Sequence, residues 1–153
     1  MRTKMQERVR YFMEQAGQTV NDKYTEPTEE QRKLAARLIL EEAVETVTAL
    51  GFFPVTMKPG EQATVVPIRV GTERPRPIKP LDIVEVIDGL CDTEYVLKWT
   101  WNLLGLNDEK YLDEVCDNND LKVVDPQFDE DGKLMKPANH PKPDIASLFA
   151  NDL

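Results

Sequence analysis

Two stretches of the sequence carry carboxylates at the spacing that places side chains on one side of a helix. At about 100° per residue, the acids of the first stretch fall within an arc of about 100° and those of the second within about 60°. They are Glu41, Glu42 and Glu45 in the first stretch and Glu85, Asp88 and Asp92 in the second. Carboxylate oxygens suit Mg²⁺ or Mn²⁺, which also take water and substrate phosphates as ligands. The sequence therefore predicts a divalent metal site.

Apolar residues flank the acids in both stretches, which indicates largely buried helices, and in the first stretch they also occupy the opposite side, which indicates packing on both sides of that helix. Carboxylates on a partly buried arc repel one another unless a cation lies among them, and we assign them no lysine or arginine partner. Two alternatives stay open: ordinary solvated helix faces, and a non-catalytic acidic inhibitor that mimics nucleic acid. Such a mimic spreads its carboxylates over an exposed face, whereas these acids interrupt apolar stripes.

Calcium binding in a loop is a further use of acidic residues. The pattern D-x-[DN]-x-[DN]-G fits neither the region of Asp117 nor that of Asp129. We therefore do not expect an EF-hand.

Hydrophobic periodicity predicts four helices, which position these acids. They cover residues 3–15, 28–50, 81–104 and 108–118. The second helix opens with Thr28 and Gln31, the pattern of a capping box, and carries the first acidic cluster. The third carries the second cluster. The expected fold is an all-α, four-helix bundle that occupies residues 1–153 as a single domain.

Two proline-rich regions interrupt the helical pattern. Residues 52–80 contain six prolines and two glycines, which predicts an irregular segment with a short edge strand or hairpin near residues 64–70. The C-terminal tail begins at Val123, and its sequence DEDGK between Phe128 and Leu134 is typical of a hairpin turn.

Composition excludes several classes of function. The chain has 28 acidic and 19 basic residues and a formal charge of −9, which disfavours nucleic acid and anionic membranes as ligands. With neither a signal peptide nor a membrane-spanning run, we expect a cytoplasmic protein. His140 is the only histidine and Cys91 and Cys116 are the only cysteines, so a zinc site or a Ser-His-Asp triad is disfavoured. We expect both cysteines to be buried free thiols.

Taken together, the motifs resemble the all-α nucleoside triphosphate pyrophosphohydrolases of the MazG type, relatives of dimeric dUTPases and of phosphoribosyl-ATP pyrophosphohydrolase. The segment Glu41-Glu42-x-x-Glu45 matches that family's E-E-x-x-E pattern. The segment Glu85-x-x-Asp88-x-x-x-Asp92-x-x-Tyr95 matches its later E-x-x-D and D-x-x-Y patterns. A third block, from Glu114 to Lys122, is similar to E-V-x-x-x-N-x-x-K, and the tail is similar to that of phage members.

The resemblance implies hydrolysis of a nucleoside triphosphate between its α- and β-phosphates. It implies that Glu42, Glu45, Glu85 and Asp88 ligate Mg²⁺ or Mn²⁺, with about two or three ions per site. Glu41 is the expected catalytic residue, which orients or deprotonates the attacking water and also touches a metal. Asp92 is expected to be a ligand or a partner of one.

The same resemblance implies two substrate-binding residues, and side-chain chemistry adds four further candidates. Asn119 and Lys122 are expected to contact phosphate or sugar, and Gln15 and Gln18 are candidate readers of the base. Lys98 and Lys136 are further phosphate candidates.

The spacing between the two acidic motifs departs from the family pattern. Thirty-nine residues separate Glu45 from Glu85, so residues 52–80 are expected to be an insertion near the substrate entrance.

The resemblance also ranks substrates and partners. Some phage members act on dGTP and GTP and thereby supply the synthesis of DNA that contains 2-aminoadenine. Similarity to them ranks a purine (d)NTP, dGTP first, as the expected substrate. If the protein is viral, the expected location is the host cytoplasm. The alternatives are a dUTP- or dCTP-directed enzyme and a broad house-cleaning pyrophosphatase. The family further implies a homo-oligomer, a dimer or a dimer of dimers, and no membrane or nucleic-acid partner.

Overall fold

The chain is mostly helical, with one small sheet. A computed structural model describes residues 1–153. Its elements in order are α1 (Lys4–Gln15), α2 (Glu29–Ala49), β1 (Phe52–Pro54), β2 (Val65–Pro67), α3 (Ile83–Leu104), α4 (Asp108–Asp120), a turn of 3₁₀ helix (Leu121–Val123) and α5 (Ile145–Ala150). The predicted all-α fold and its four main helices are confirmed, and the short helix α5 was not predicted.

Side chains that accept hydrogen bonds from free backbone N–H groups fix where the helices begin. At the start of α2, the Thr28 hydroxyl accepts from the Gln31 N–H at 3.2 Å, and the Gln31 side chain accepts from the Thr28 N–H at 2.9 Å. This is the predicted capping box. Helix α3 begins two residues later than predicted because the Asp82 carboxylate accepts from the N–H groups of Val84 and Glu85.

The chain forms two compact units. The helix–hairpin unit is Pro27–Thr100 and contains α2, both strands and most of α3. The terminal unit combines Met1–Glu26 with Trp101–Leu153. All six predicted metal-binding acids belong to the helix–hairpin unit.

Within the helix–hairpin unit, α2 and α3 approach each other most closely at Gly89. A Cβ atom at this position would lie 2.6 Å from Thr46 Oγ1 and 3.1 Å from Thr46 Cα. The Thr46 hydroxyl donates to the carbonyl of Glu42 at 2.8 Å and lies 3.2 Å from the Thr93 hydroxyl. The absence of a side chain at Gly89 therefore sets the separation of the two acid-bearing helices.

The insertion at residues 52–80 is more regular than its composition suggests. Strands β1 and β2 are antiparallel, with Phe52 opposite Pro67, so the predicted strand is confirmed. The chain then forms a second antiparallel pairing, here called the second ladder, which consists of an isolated bridge between Arg69 and Ile78 and the backbone hydrogen bonds on either side of it. Ile68 N–H donates to the carbonyl of Gly51 at 2.8 Å, which joins this ladder to the end of α2.

The terminal unit has its own core and holds the tail. Val9 and Met13 of α1 are fully buried, and Gln6 donates to the carbonyl of Leu106 at 2.7 Å. The predicted tail hairpin is confirmed by the bridge between Phe128 and Leu134.

The end of the tail is anchored on α4 through Asp152. Its carboxylate accepts hydrogen bonds from Lys110 and Tyr111, both at 2.5 Å. Burial alone would raise the pKa of Asp152, but the hydrogen bonds and the positive charge of Lys110 lower it. Burial and the bond to Asp152 raise the pKa of Tyr111 to about 12.

The expectation that both cysteines are buried is wrong, since Cys91 and Cys116 are exposed. On α3, the buried side of the helix up to Thr100 includes Val86, Gly89 and Val96, and Cys91 lies outside that spacing.

The contact between Gly89 and Thr46 generates a prediction about stability. A glycine-to-alanine change inside a helix ordinarily stabilises a protein by about 1 kcal/mol. We expect Gly89→Ala to destabilise this one by about 1–3 kcal/mol, because the new methyl group overlaps Thr46. Urea unfolding followed by circular dichroism measures the difference.

A second variant serves as the control. Thr46→Ala removes the atom at 2.6 Å, so Gly89→Ala should cost less in that background than in the wild-type chain. A Gly89→Ala variant that is as stable as the parent would contradict the account of this contact.

Candidate active site

The acids of α2 lie in the second half of the helix, beside its contact with α3. Glu42 is half-buried, whereas Glu41 and Glu45 are exposed. The expected partly buried arc is therefore wrong for two of the three glutamates. Glu42 is the inner member because it lies one turn before Thr46 on the same side of α2, and Thr46 is the buried residue that packs against Gly89.

The acids of α3 are all exposed, although the apolar residues around them predicted a buried helix. Asp88 and Asp92 lie before and after Gly89 on the helix, and Glu85 lies one turn earlier. Their apolar neighbours Ile87 and Leu90 are 55% and 57% exposed. The carboxylates thus interrupt an apolar stripe that lies on the surface of the chain.

The acids of α2 and those of α3 both interact electrostatically with Glu42. Burial raises the pKa of Glu42, and the charges of Asp92, Glu45, Glu41 and Asp88 raise it further. Carboxylates from both helices therefore act on one side chain. Five of the six predicted acids form one negatively charged cluster.

The sixth acid, Glu85, lies next to the cluster, because it shares a cavity with Glu45. Glu45 and Glu85 both line this cavity of about 270 Å³, at the end of α2. Lys79, from the second ladder of the insertion, lines it too. The insertion therefore places a positive charge at the edge of the acidic cluster.

Two basic residues near the acids were not assigned from the sequence. Arg37 forms an exposed ion pair with Glu41 at 3.4 Å, four residues apart on α2. The spacing of four residues can be read from the sequence, and an exposed helical ion pair of this kind contributes about 0.3–0.5 kcal/mol to stability. No spacing in the sequence indicates that Lys79 lies near the acids, because only the fold of the insertion brings it to Glu45 and Glu85.

No group of three or more His, Cys, Asp or Glu side chains converges tightly enough to hold a metal ion. The acids are close enough to influence Glu42 electrostatically, but they do not form a ready-made set of metal ligands. Their donor set still fits a hard divalent cation, because it consists of carboxylate oxygens alone and because burial, together with the charges of the neighbouring acids, raises the pKa of Glu42.

The predicted substrate-binding residues divide between the two units. Lys98, in the helix–hairpin unit, is buried and only 8% exposed, and it lies about 240° around α3 from Asp92. In the terminal unit, the Lys122 ammonium donates to the side-chain oxygen of Asn119 at 2.5 Å, so these two predicted residues are in contact. Gln15, Gln18 and Lys136, also in that unit, are exposed.

The mostly helical fold, with carboxylates on two packed helices, is consistent with the class of all-α nucleotide pyrophosphohydrolases. The chain is a member of the phosphoribosyl-ATP pyrophosphohydrolase family, which it matches over residues 9–119. That family belongs to the MazG-like nucleoside triphosphate pyrophosphohydrolase superfamily, so the resemblance is confirmed at this level. The matched range includes all six acids and Asn119.

One further comparison and one property of the helices bear on the classification. No curated protein matches the chain. None of its helices is both long and apolar enough to cross a membrane. Family membership makes the chain an enzyme, a nucleotide pyrophosphohydrolase, and the alternative of a non-catalytic inhibitor is not retained.

The crowding of charge around Glu42 generates a prediction. In a chelating buffer at neutral pH, we expect Glu42→Gln to raise the melting temperature, because it removes a partly desolvated charge that four other carboxylates repel. Glu30→Gln is the control. Glu30 is exposed in the first turn of α2, where a negative charge is favourable, so its loss should give no increase. A Glu42→Gln variant that melts at or below the parent's temperature would be inconsistent with a repulsive cluster.

Proposed function

We propose that this protein hydrolyses a (deoxy)nucleoside triphosphate to the monophosphate and pyrophosphate in a metal-dependent reaction. The observation that carries the proposal is the cluster of carboxylates from α2 and α3 around Glu42. A triphosphate carries several negative charges and cannot approach these carboxylates without divalent cations between them. The whole chain, residues 1–153, is proposed to act as one domain.

The acids have distinct proposed roles. Glu42, Glu45, Glu85, Asp88 and Asp92 would hold Mg²⁺ or Mn²⁺, about two or three ions. When bound, the cations would neutralise the phosphates and polarise their oxygens. Glu41 would orient the attacking water and accept its proton as the oxygen bonds to the α-phosphorus and pyrophosphate leaves. Glu41 is exposed and so accessible to water, and Arg37 limits the positions of its carboxylate.

The substrate-binding residues remain proposals. Lys122 would place a positive charge near the phosphates, and Asn119, held by its contact with Lys122, would donate to phosphate or sugar. Gln15 and Gln18 would read the base with side-chain amides that both donate and accept. Lys98 and Lys136 are additional candidates for phosphate contacts, and burial makes Lys98 the weaker of the two.

For the base we propose a purine, dGTP or GTP first, on the similarity of the tail and motifs to phage enzymes that act on these nucleotides. A dUTP- or dCTP-directed enzyme and a broad house-cleaning enzyme of the same fold are the alternatives. In the phage case the enzyme would work in the host cytoplasm.

Direct assay of each nucleotide tests the function. The protein is incubated with each (d)NTP and Mg²⁺ or Mn²⁺, and monophosphate is separated from diphosphate and triphosphate. We expect metal-dependent monophosphate, with dGTP or GTP turned over fastest. Glu42→Gln and Asp88→Asn should each lower kcat/KM by about 100-fold, because each removes a ligand.

Glu94→Gln is the matched control for this assay. Glu94 is an exposed acid of the same helix, about 240° around α3 from Asp88, and its substitution should leave the rate unchanged. The proposal fails if no nucleotide gives metal-dependent monophosphate, or if Glu42→Gln and Asp88→Asn keep full activity.

We also propose that the enzyme is a homo-oligomer, a dimer or a dimer of dimers. Apolar side chains recur at helical spacing on exposed positions of α3, namely Ile83, Ile87, Leu90 and Leu97. Leu40 and Val44, four residues apart on α2, are exposed as well. A second copy of the chain would cover these side chains, as expected for a family in which sites lie at subunit interfaces.

Light scattering at micromolar concentration tests the oligomer. The wild-type protein should have the mass of a dimer or tetramer, and Leu90→Glu should shift it towards monomer by placing a charge in an apolar contact. Val124→Glu is the control, since Val124 is 84% exposed and lies outside the helices. A monomeric wild-type protein would refute the proposal.

A further inference from the structure

Three arginines of the insertion gather at one cavity. Arg69, Arg74 and Arg76 line it together with Pro75, and its volume is about 490 Å³. One polar contact connects the group: Arg69 donates to the backbone carbonyl of Arg76 at 3.0 Å. None of the three guanidinium groups forms an ion pair with a carboxylate.

The insertion that carries these arginines has a net positive charge, opposite in sign to the net charge of the whole chain. Residues 52–80 contain five basic and two acidic residues, a net charge of +3, in a chain whose formal charge is −9. Guanidinium groups that share a cavity repel one another, and no carboxylate forms an ion pair with any of the three. Arginine binds phosphate oxygens through two parallel N–H groups, which makes such a group suited to a phosphate-bearing anion.

The backbone places the arginines beside the acidic cluster. Arg69 faces Ile78, and the next residue pair of the same ladder is Ile68 with Lys79, joined by a 2.7 Å hydrogen bond. Lys79 lines the cavity that Glu45 and Glu85 share. At about 3.3 Å per strand residue, the backbone of Arg76 lies within about 10 Å of that of Lys79. Basic side chains therefore extend from the edge of the acidic cluster along the ladder.

We propose that Arg69, Arg74 and Arg76 bind the β- and γ-phosphates of the nucleoside triphosphate, the part that leaves as pyrophosphate. The identity of the ligand rests on the proposed function; the capacity to bind a pyrophosphate group does not. In this arrangement the two ends of the phosphate chain bind to different sites. One end lies at the carboxylates with their cations, and the other end contacts the arginines beyond Lys79. The distal phosphates bind the hairpin, and the α-phosphate lies next to the acids.

A small anion fits these observations better than a nucleic acid. The positive charge is confined to one hairpin, and the neighbouring acids would repel an extended phosphate backbone. The arginines form a small, solvent-open patch of three exposed side chains and a proline, a size that suits a pyrophosphate group rather than a long strand.

Pyrophosphate binding tests the proposal without relying on catalysis. Calorimetry of the full chain with pyrophosphate in metal-free buffer compares wild type with the double variant Arg74→Gln/Arg76→Gln. We expect the double variant to raise the Kd by about tenfold or more. Lys58→Glu is the control: it makes the same change of −2 in net charge within the insertion but lies outside the arginine cavity, so its effect should be threefold or less, roughly the size of an unspecific charge effect.

The nucleotide assay then separates this proposal from the proposed function. If triphosphate is hydrolysed, the double variant should raise KM much more than Lys58→Glu does. If no nucleotide is hydrolysed, the proposed function fails, while arginine-dependent pyrophosphate binding still supports the anion site. Equal pyrophosphate affinity in the wild type and the double variant overturns the proposal. Arginine-dependent binding of a single-stranded oligonucleotide that is tighter than that of pyrophosphate overturns it too, in favour of a nucleic-acid surface.

Discussion

The close approach of α2 and α3 at Gly89 is the constraint on which the site depends. With no side chain at Gly89, Thr46 can pack against the α3 backbone, and the acids on either side of this contact come from both helices. Their negative charges then act together on Glu42, whose pKa is raised by burial and by four neighbouring carboxylates. The same contact therefore stabilises the helix pair and concentrates the charge that cations would offset.

The insertion supplies the opposite charge. It is joined to the end of α2 by a hydrogen bond from Ile68 to Gly51, and its second ladder carries Lys79 to the edge of the acidic cluster. A chain with a formal charge of −9 thus contains neighbouring regions of opposite sign within one unit. For a substrate that combines polyphosphate with divalent cations, such a division of charge matches both components.

Helical periodicity and caps predicted most of the fold, because both depend on residues close in sequence. The capping box of Thr28, the four main helices and the turn between Phe128 and Leu134 are of this kind. Burial was predicted less well: Cys91 and the acids beside it lie on a helix face that this chain leaves exposed. Lys79 and the arginine cavity depend on pairing within the insertion, which proline-rich sequence does not reveal.

A double-mutant cycle tests most directly whether carboxylates of α2 and α3 form one repulsive cluster. The free energy of unfolding is measured in chelating buffer for wild type, Glu42→Gln, Asp92→Asn and the double variant. If both side chains belong to the cluster, each single change relieves the same repulsion, so the double variant should gain less stability than the sum of the two, by about 0.5 kcal/mol or more. Strictly additive effects would contradict the account.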